Sequence, residues 1–325
     1  MGWIGKLMGG DADKAAPRPV AVTANDAEPV SGAEVDAAFY RWLTSAGQKK
    51  ATPEVEQQIL DELTRLAQSP VDGAALVPRV PAIIPQLMRT LRDDDMNASE
   101  LSRQLHQDLV LVAEVYREAN RPCYRPRYNT SPPVDTVEGA IMLLGQNGMR
   151  MLLARVAFRP IISMQSGLLA KKAAPLIWRQ SEKCAQAASM LAPAMRANAF
   201  EAYLAGLMAN VGIVVAFRLI DQMHTAGEVP QSDAFIDEVF AQGGILSARI
   251  AKLWEFPAAV TSAIEMAGHD DAPSLSQTLA LADRISKLRM LVDANKVGPG
   301  DPFVTNGLSK AALTCFDKLE DEADE

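Results

Sequence analysis

Histidine and cysteine are scarce, with three of each in 325 residues. The cysteines, Cys123, Cys184 and Cys315, form no C-x-x-C pair and cannot all pair with one another, so they read as buried or incidental thiols of a reducing compartment. His106, His224 and His269 are isolated, and none lies four residues from another as a helix-borne metal pair requires. Aromatic residues are also few, at 6%. Basic charge is short as well. A net charge of −8 and a pI near 5.1 argue against broad nucleic-acid binding, because phosphate contacts need Lys and Arg. No apolar run is long: the best, Ala202 to Phe217, has 16 residues, is broken by Asn210 and is bounded by Glu201 and Arg218. That falls short of a membrane span and suits a buried core helix, so no transmembrane segment is expected. The first residues, Met1 to Met8, lack the apolar core and small-residue cleavage site of a secretory signal. Lys6 stands where a myristoylation signal wants Ser or Thr. A cytoplasmic location is the expectation.

What is present points to helices. Apolar residues make up 48% of the chain, and Ala, Leu, Met and Val dominate with little period-two alternation. Fourteen methionines suit irregular helical interiors, although they could also line an adaptable surface. The spacing predicts an all-α protein. Residues 1–31 open with Trp3, Ile4 and Leu7 and continue as an Ala-, Pro- and Asp-rich linker. Residues 32–70 form a helical extension: Val35, Phe39, Trp42 and Leu43 make one apolar stripe, and Pro53 starts a second helix carrying Val55, Ile59, Leu63 and Leu66. Shorter helices follow from Leu76, with Pro81–Leu91, a span from Asn97 or Ser99 to about Gln107, and Leu109–Ala119. Asp135 to Glu138 is a capping-box-like start to a helix ending at Gly145, and the next helix runs through Phe158 to a stop at Pro160. Later segments fall at about 174–192, 199–221, 232–241, 245–253, 257–267, 275–292 and 309–320, ahead of an acidic tail.

Five pieces in register carry a resemblance. They are Val77-Pro78-Arg79-Val80-Pro81 with the Ile84/Leu87/Leu91 stripe; Gln107 to Leu111 with Glu118-Ala119-Asn120-Arg121-Pro122-Cys123-Tyr124; Ala140 to Gly145; Trp178-Arg179-Gln180-Ser181; and Gly206 to Gly212. Together they resemble the HDOD domain, a bacterial signalling relative of the HD phosphohydrolases. The resemblance implies a multi-helix HDOD fold over 76–270, with an N-terminal helical subdomain at 76–165 and a degenerate HD-like bundle at 170–270, followed by C-terminal helices and tail over 271–325.

The departures from that pattern bear on chemistry. Catalytic HD proteins hold divalent metal with a His, a His-Asp pair and a later Asp, and the metal lowers the pKa of bound water. The resemblance places Gln180 at the first position, Ala209-Asn210 at the pair, and Asp283 as the later Asp. A methyl group and two neutral amides bring no charge to offset a dication's lost hydration. Asn210 inside an apolar helix needs a hydrogen-bond partner, and Gln180 is the natural one.

Other signals are weaker. His269-Asp270 follows Gly268 in an apparent loop without partner ligands, and solvated loop residues explain it better than metal. Asp93, Asp95 and Asn97 imitate a calcium loop, but Ala98 and Gln104 replace its Gly and Glu. Arg121, Tyr124, Arg125, Arg127 and Tyr128 interleave cations with aromatics, and Arg150, Arg155 and Arg159 extend the set. Such a patch suits a nucleotide, a protein partner or internal salt bridges. With Trp178 these are the candidate partner- or ligand-binding residues.

The leading expectation is a non-catalytic regulatory or scaffold module for a signalling protein partner, needing no cofactor. Two alternatives stay open: a residual phosphohydrolase with a metal site rebuilt from Asp283, His269 and Asp270, and a nucleotide sensor without hydrolysis.

Overall fold

The structure is a computed structural model that describes residues 30–44, 49–69, 76–78, 109–120, 132–163, 167–223 and 228–319. Among these, helices account for nearly all regular structure. They are α1 (Gly32–Leu43), α2 (Pro53–Gln68), α3 (Leu109–Ala119), α4 (Val137–Ser163), α5 (Leu169–Leu191), α6 (Ala199–Met208), α7 (Val211–Met223), α8 (Asp233–Leu253), α9 (Ala258–Glu265), α10 (Ser274–Asp293), α11 (Pro302–Thr305) and α12 (Lys310–Lys318). The exception is a two-residue parallel ladder, β1 (Lys49–Lys50) on β2 (Glu228–Val229). The fold class is all-α.

Helix α5 is the hub, packing against α6, α10, α7 and α4, while α8 sits on α7, α9 and α2. Two glycines permit the closest crossings. A Cβ on Gly206 meets the Ala185 backbone at 2.7 Å, so α6 lies directly on α5; one on Gly212 meets the Gly243 carbonyl oxygen at 2.0 Å, which does the same for α7 on α8. The apolar stretch Ala199–Met223 is long and apolar enough, by composition, to cross a membrane. It is almost wholly buried against these neighbours, as a core helix pair is.

Several boundaries differ from the sequence expectation, each for a tertiary reason. The expected single helix over 199–221 is two helices, broken at Ala209-Asn210, where the Gly212 N–H donates to Ser247 Oγ at 2.8 Å. The expected break between 241 and 245 is absent: α8 runs on through Gly243-Gly244, because Gly243 serves close approach rather than a turn. Helix α5 begins at Leu169 rather than near 174 and takes Pro175 inside it. Asp221 of α7 makes that possible by accepting from the Leu169 and Ala170 N–H groups at 2.8 Å each. Helix α4 is broken in direction at Gly145 (φ 67°), where the sequence places a helix end, and differs only in continuing past Pro160 to Ser163. The linker, the helices expected over 81–107 and the acidic tail lie outside the described residues.

The two N-terminal helices, α1 and α2, are each tied to the bundle by polar contacts. Glu56 of α2 accepts from the N–H groups of Gln231 (2.7 Å) and Ser232 (3.0 Å), and Ser232 in turn caps α8. The Tyr40 hydroxyl of α1 donates to the Pro230 carbonyl at 2.9 Å. Val35, Phe39 and Leu43 fill the interface around it.

The contrast between neighbouring glycines gives a paired expectation. Gly212→Ala lowers stability by at least about 1–3 kcal/mol through overpacking. Gly244→Ala, whose Cβ meets nothing within 4 Å, raises it by roughly 0.5–1 kcal/mol through helix propensity. Urea denaturation of both variants checks this, and equal effects at the two positions contradict the packing described.

Candidate functional site

Three helices and the α6–α7 turn bring one polar cluster together. Helix α5 supplies Gln180, the α6–α7 break supplies Asn210, α10 supplies Asp283, Ser286 and Lys287, and α1 supplies Asp36. Spacing explains α10's share: positions 283 and 287 are one turn apart on one face. The break in the apolar helix likewise explains Asn210, since it turns the amide toward α5 and α10 rather than burying it within a continuous turn.

The bonds close on one another. Asn210 Nδ2 donates to Gln180 Oε1 at 2.9 Å and to Asp283 Oδ1 at 2.8 Å. Gln180 Nε2 donates to Asp283 Oδ1 and Ser286 Oγ, both at 2.9 Å, and Ser286 Oγ donates to the Asp283 carbonyl at 2.8 Å. Lys287 Nζ lies 2.5 Å from Asp283 Oδ2 and 2.5 Å from Asp36 Oδ1. The ammonium also sits 4.4 Å from the centre of the Phe240 ring. Gln180 is fully buried, and Lys287 is 2% exposed. Burial alone pulls the lysine pKa down, but the carboxylates of Asp283 and Asp36 more than reverse this and hold it above its ordinary value. Lys287 is therefore charged at neutral pH.

This arrangement does not fit a divalent ion. Both amides are spent on each other and on Asp283, Ala209 has no donor atom, and an ammonium already bridges the two carboxylates. Among the described residues, no group of three or more His, Cys, Asp or Glu side chains comes together. His269, Asp270 and Asp271 are exposed in the loop between α9 and α10. Thiol chemistry finds no footing at either described cysteine, since burial pushes Cys184 far up and Cys315 up to about 11.

The other candidates separate. Trp178, a candidate ligand contact, is instead buried in α5, with its indole N–H unpartnered among the described residues; two positions from Gln180, it lies on a different side of the helix. Arg150 is buried with its guanidinium 4.9 Å from the Phe200 ring, and Arg155 pairs with Glu118 at 2.6 Å, so neither extends a surface patch as expected. Both are internal braces of α4. Arg159 is exposed. Arg121, Tyr124, Arg125, Arg127 and Tyr128 lie outside the described residues. Sequence reasoning missed Asp36, Ser286, Lys287 and Phe240. The Asp283/Lys287 spacing was a visible signal, whereas Asp36 looks like any polar position on an amphipathic helix.

Fold and cluster together define a class: a helical bundle in which a carboxylate is enclosed by amides and an ammonium. Residues 77–269, more than half of the chain, match the HDOD domain, and the chain belongs to that family. The match includes Gln180, Ala209 and Asn210, while Asp36, Asp283 and Lys287 lie beyond it. An uncharacterized protein of Treponema pallidum (strain Nichols) is 24% identical over 225 residues, which cover 66% of this chain and 42% of that protein. This chain thus spans less than half the length of that relative. Two solved structures share the fold. One is from Shewanella amazonensis SB2B, its name assigning it provisionally to the metal-dependent phosphohydrolases (TM-score 0.54, 18% identity, covering 82% of this chain and 98% of that one). The other is an HDOD domain protein of Geobacter sulfurreducens (TM-score 0.51, 19% identity, 82% and 94% covered).

Removing one amide orphans its buried partners, at a cost of about 1–3 kcal/mol for each group left unsatisfied. Gln180→Ala and Asn210→Ala should each destabilise, and the double variant should lose less than the sum, with a coupling of roughly 0.5–3 kcal/mol in a urea double-mutant cycle. Strict additivity contradicts the network. A pH series gives an independent reading. Burial also raises the Tyr40 pKa, so Tyr40 and Lys287 both bind their protons more tightly folded than unfolded. Their contribution is complete below about pH 10, where the unfolded groups titrate, and is lost as pH rises beyond it. The urea midpoint should fall steadily above that pH; a profile flat to pH 11.5 contradicts the assignment.

Proposed function

We propose that this chain is a non-catalytic regulatory module of bacterial signal transduction, acting in the cytoplasm by binding a protein partner or a signalling ligand. One observation carries the reading: Gln180 and Asn210 turn their amides to each other and to Asp283, so the former ligand positions are consumed within the core. Hydrolysis of a phosphate ester needs a group that activates water, and metal-bound water is the route HD chemistry uses. The residues on this cluster offer neither open ligands nor a free base. A metal site rebuilt on Asp283 with His269 and Asp270 finds no support, because Asp283 already accepts from three side chains and the other two are exposed loop residues. Membership of the HDOD family supports the signalling role. The basic and aromatic sequence segment holding Arg121, Tyr124, Arg125, Arg127 and Tyr128 is the candidate contact for a partner or a nucleotide.

Elemental analysis of the purified full chain, with phosphomonoester and phosphodiester hydrolysis assays in added manganese, tests the proposal. The expected outcome is metal well below one equivalent and no turnover above buffer. Stoichiometric metal accompanied by turnover overturns it.

A further inference from the structure

Lys287 does more than satisfy a bond. A lysine buried to 2% exposure, on its own, loses its proton to escape the low-dielectric interior. Here it stays charged because two carboxylates from different helices, Asp36 on α1 and Asp283 on α10, each place an oxygen 2.5 Å from its nitrogen, while the Phe240 face covers another side. Since both oxygens are 2.5 Å from one atom, they lie no more than about 5 Å apart. Two carboxylates this close, each about a quarter exposed, repel, and a cation between them relieves the repulsion. Calcium–oxygen contacts fall at about 2.3–2.6 Å, the same range as these two distances. Asp36, Asp283 and Lys287 all stand outside the family-matched span.

We propose that Lys287 is a tethered cation that supplies, at Asp283 Oδ2, the positive charge a metal ion would bring, with Asp36 as the second carboxylate that holds it. The inference rests on the non-catalytic reading of the same cluster and goes beyond it. The site is a cation site whose occupant is part of the chain, so its filling is independent of metal supply, and α1 is locked to α10 through it. Shortening the side chain removes the ammonium and leaves the carboxylate pair, which is then competent to take a divalent ion from solution.

The test uses full-length protein, with calcium and manganese as the probes. Wild type should show no thermal shift and no saturable binding. Lys287→Ala should gain one equivalent of bound ion and a rise in Tm of about 5 °C or more at saturation. In the variant Asp36→Asn/Lys287→Ala that gain should fall at least about tenfold in affinity, since one carboxylate is gone. If Lys287→Ala does not fold in ion-free buffer, circular dichroism during titration with either ion decides the matter: recovery of helix supports the proposal, and no recovery overturns it. A folded Lys287→Ala protein that binds neither ion also overturns it, as does binding unaffected by Asp36→Asn. Turnover by the wild type bears on the non-catalytic reading alone, so the two failures are distinguishable.

Discussion

The structure turns on how one partly buried carboxylate is satisfied. Asp283 accepts from Gln180 and Asn210 on one oxygen and from Lys287 on the other. Its donors Gln180, Asn210 and Lys287 are the buried members, and each needs this acceptor, which ties their positions to one another. Gln180 fixes the rotation of α5, Asn210 requires α6 and α7 to part where they do, and Lys287 brings α1 against α10. Low dielectric around the buried donors strengthens these bonds and penalises any omission, so the cluster specifies one packing of five helices.

Much of the fold was legible in the chain because amphipathic periodicity is a local signal. The stripes through Val35, Phe39 and Leu43 and through Ile59 and Leu63 placed α1 and α2 to within a few residues. Errors came where a distant group settled a local question. Nothing near Leu169 announces a cap, because Asp221 supplies it from 52 residues away. Gly243-Gly244 resembles a stop until Gly212 is seen to cross there. Trp178 and Arg150 look like binding residues in sequence, since composition cannot tell a buried ring or cation from a surface one.

The site was half legible for the same reason. A motif position can be read as altered, and the amides at 180 and 210 suggest each other as partners. What replaces lost charge is not written in any motif. Asp36 lies 251 residues from Lys287, and only the folded chain brings them together. Degenerate sites of this kind ask to be read by charge balance: when ligands disappear yet one acidic residue stays, its counter-charge has to be found.

That long separation also shapes how the chain is made. Ribosomes add about 5–20 residues each second, so α1 leaves the tunnel tens of seconds before Lys287 exists. Glu56 similarly awaits Gln231 and Ser232, 175 and 176 residues downstream. Through that interval Phe39, Tyr40, Leu43, Ile59 and Leu63 have no mature surface to cover them. Helices α1 and α2 are made well before the surface that covers them, and their apolar faces are of the sort that holdase chaperones grasp in the interval.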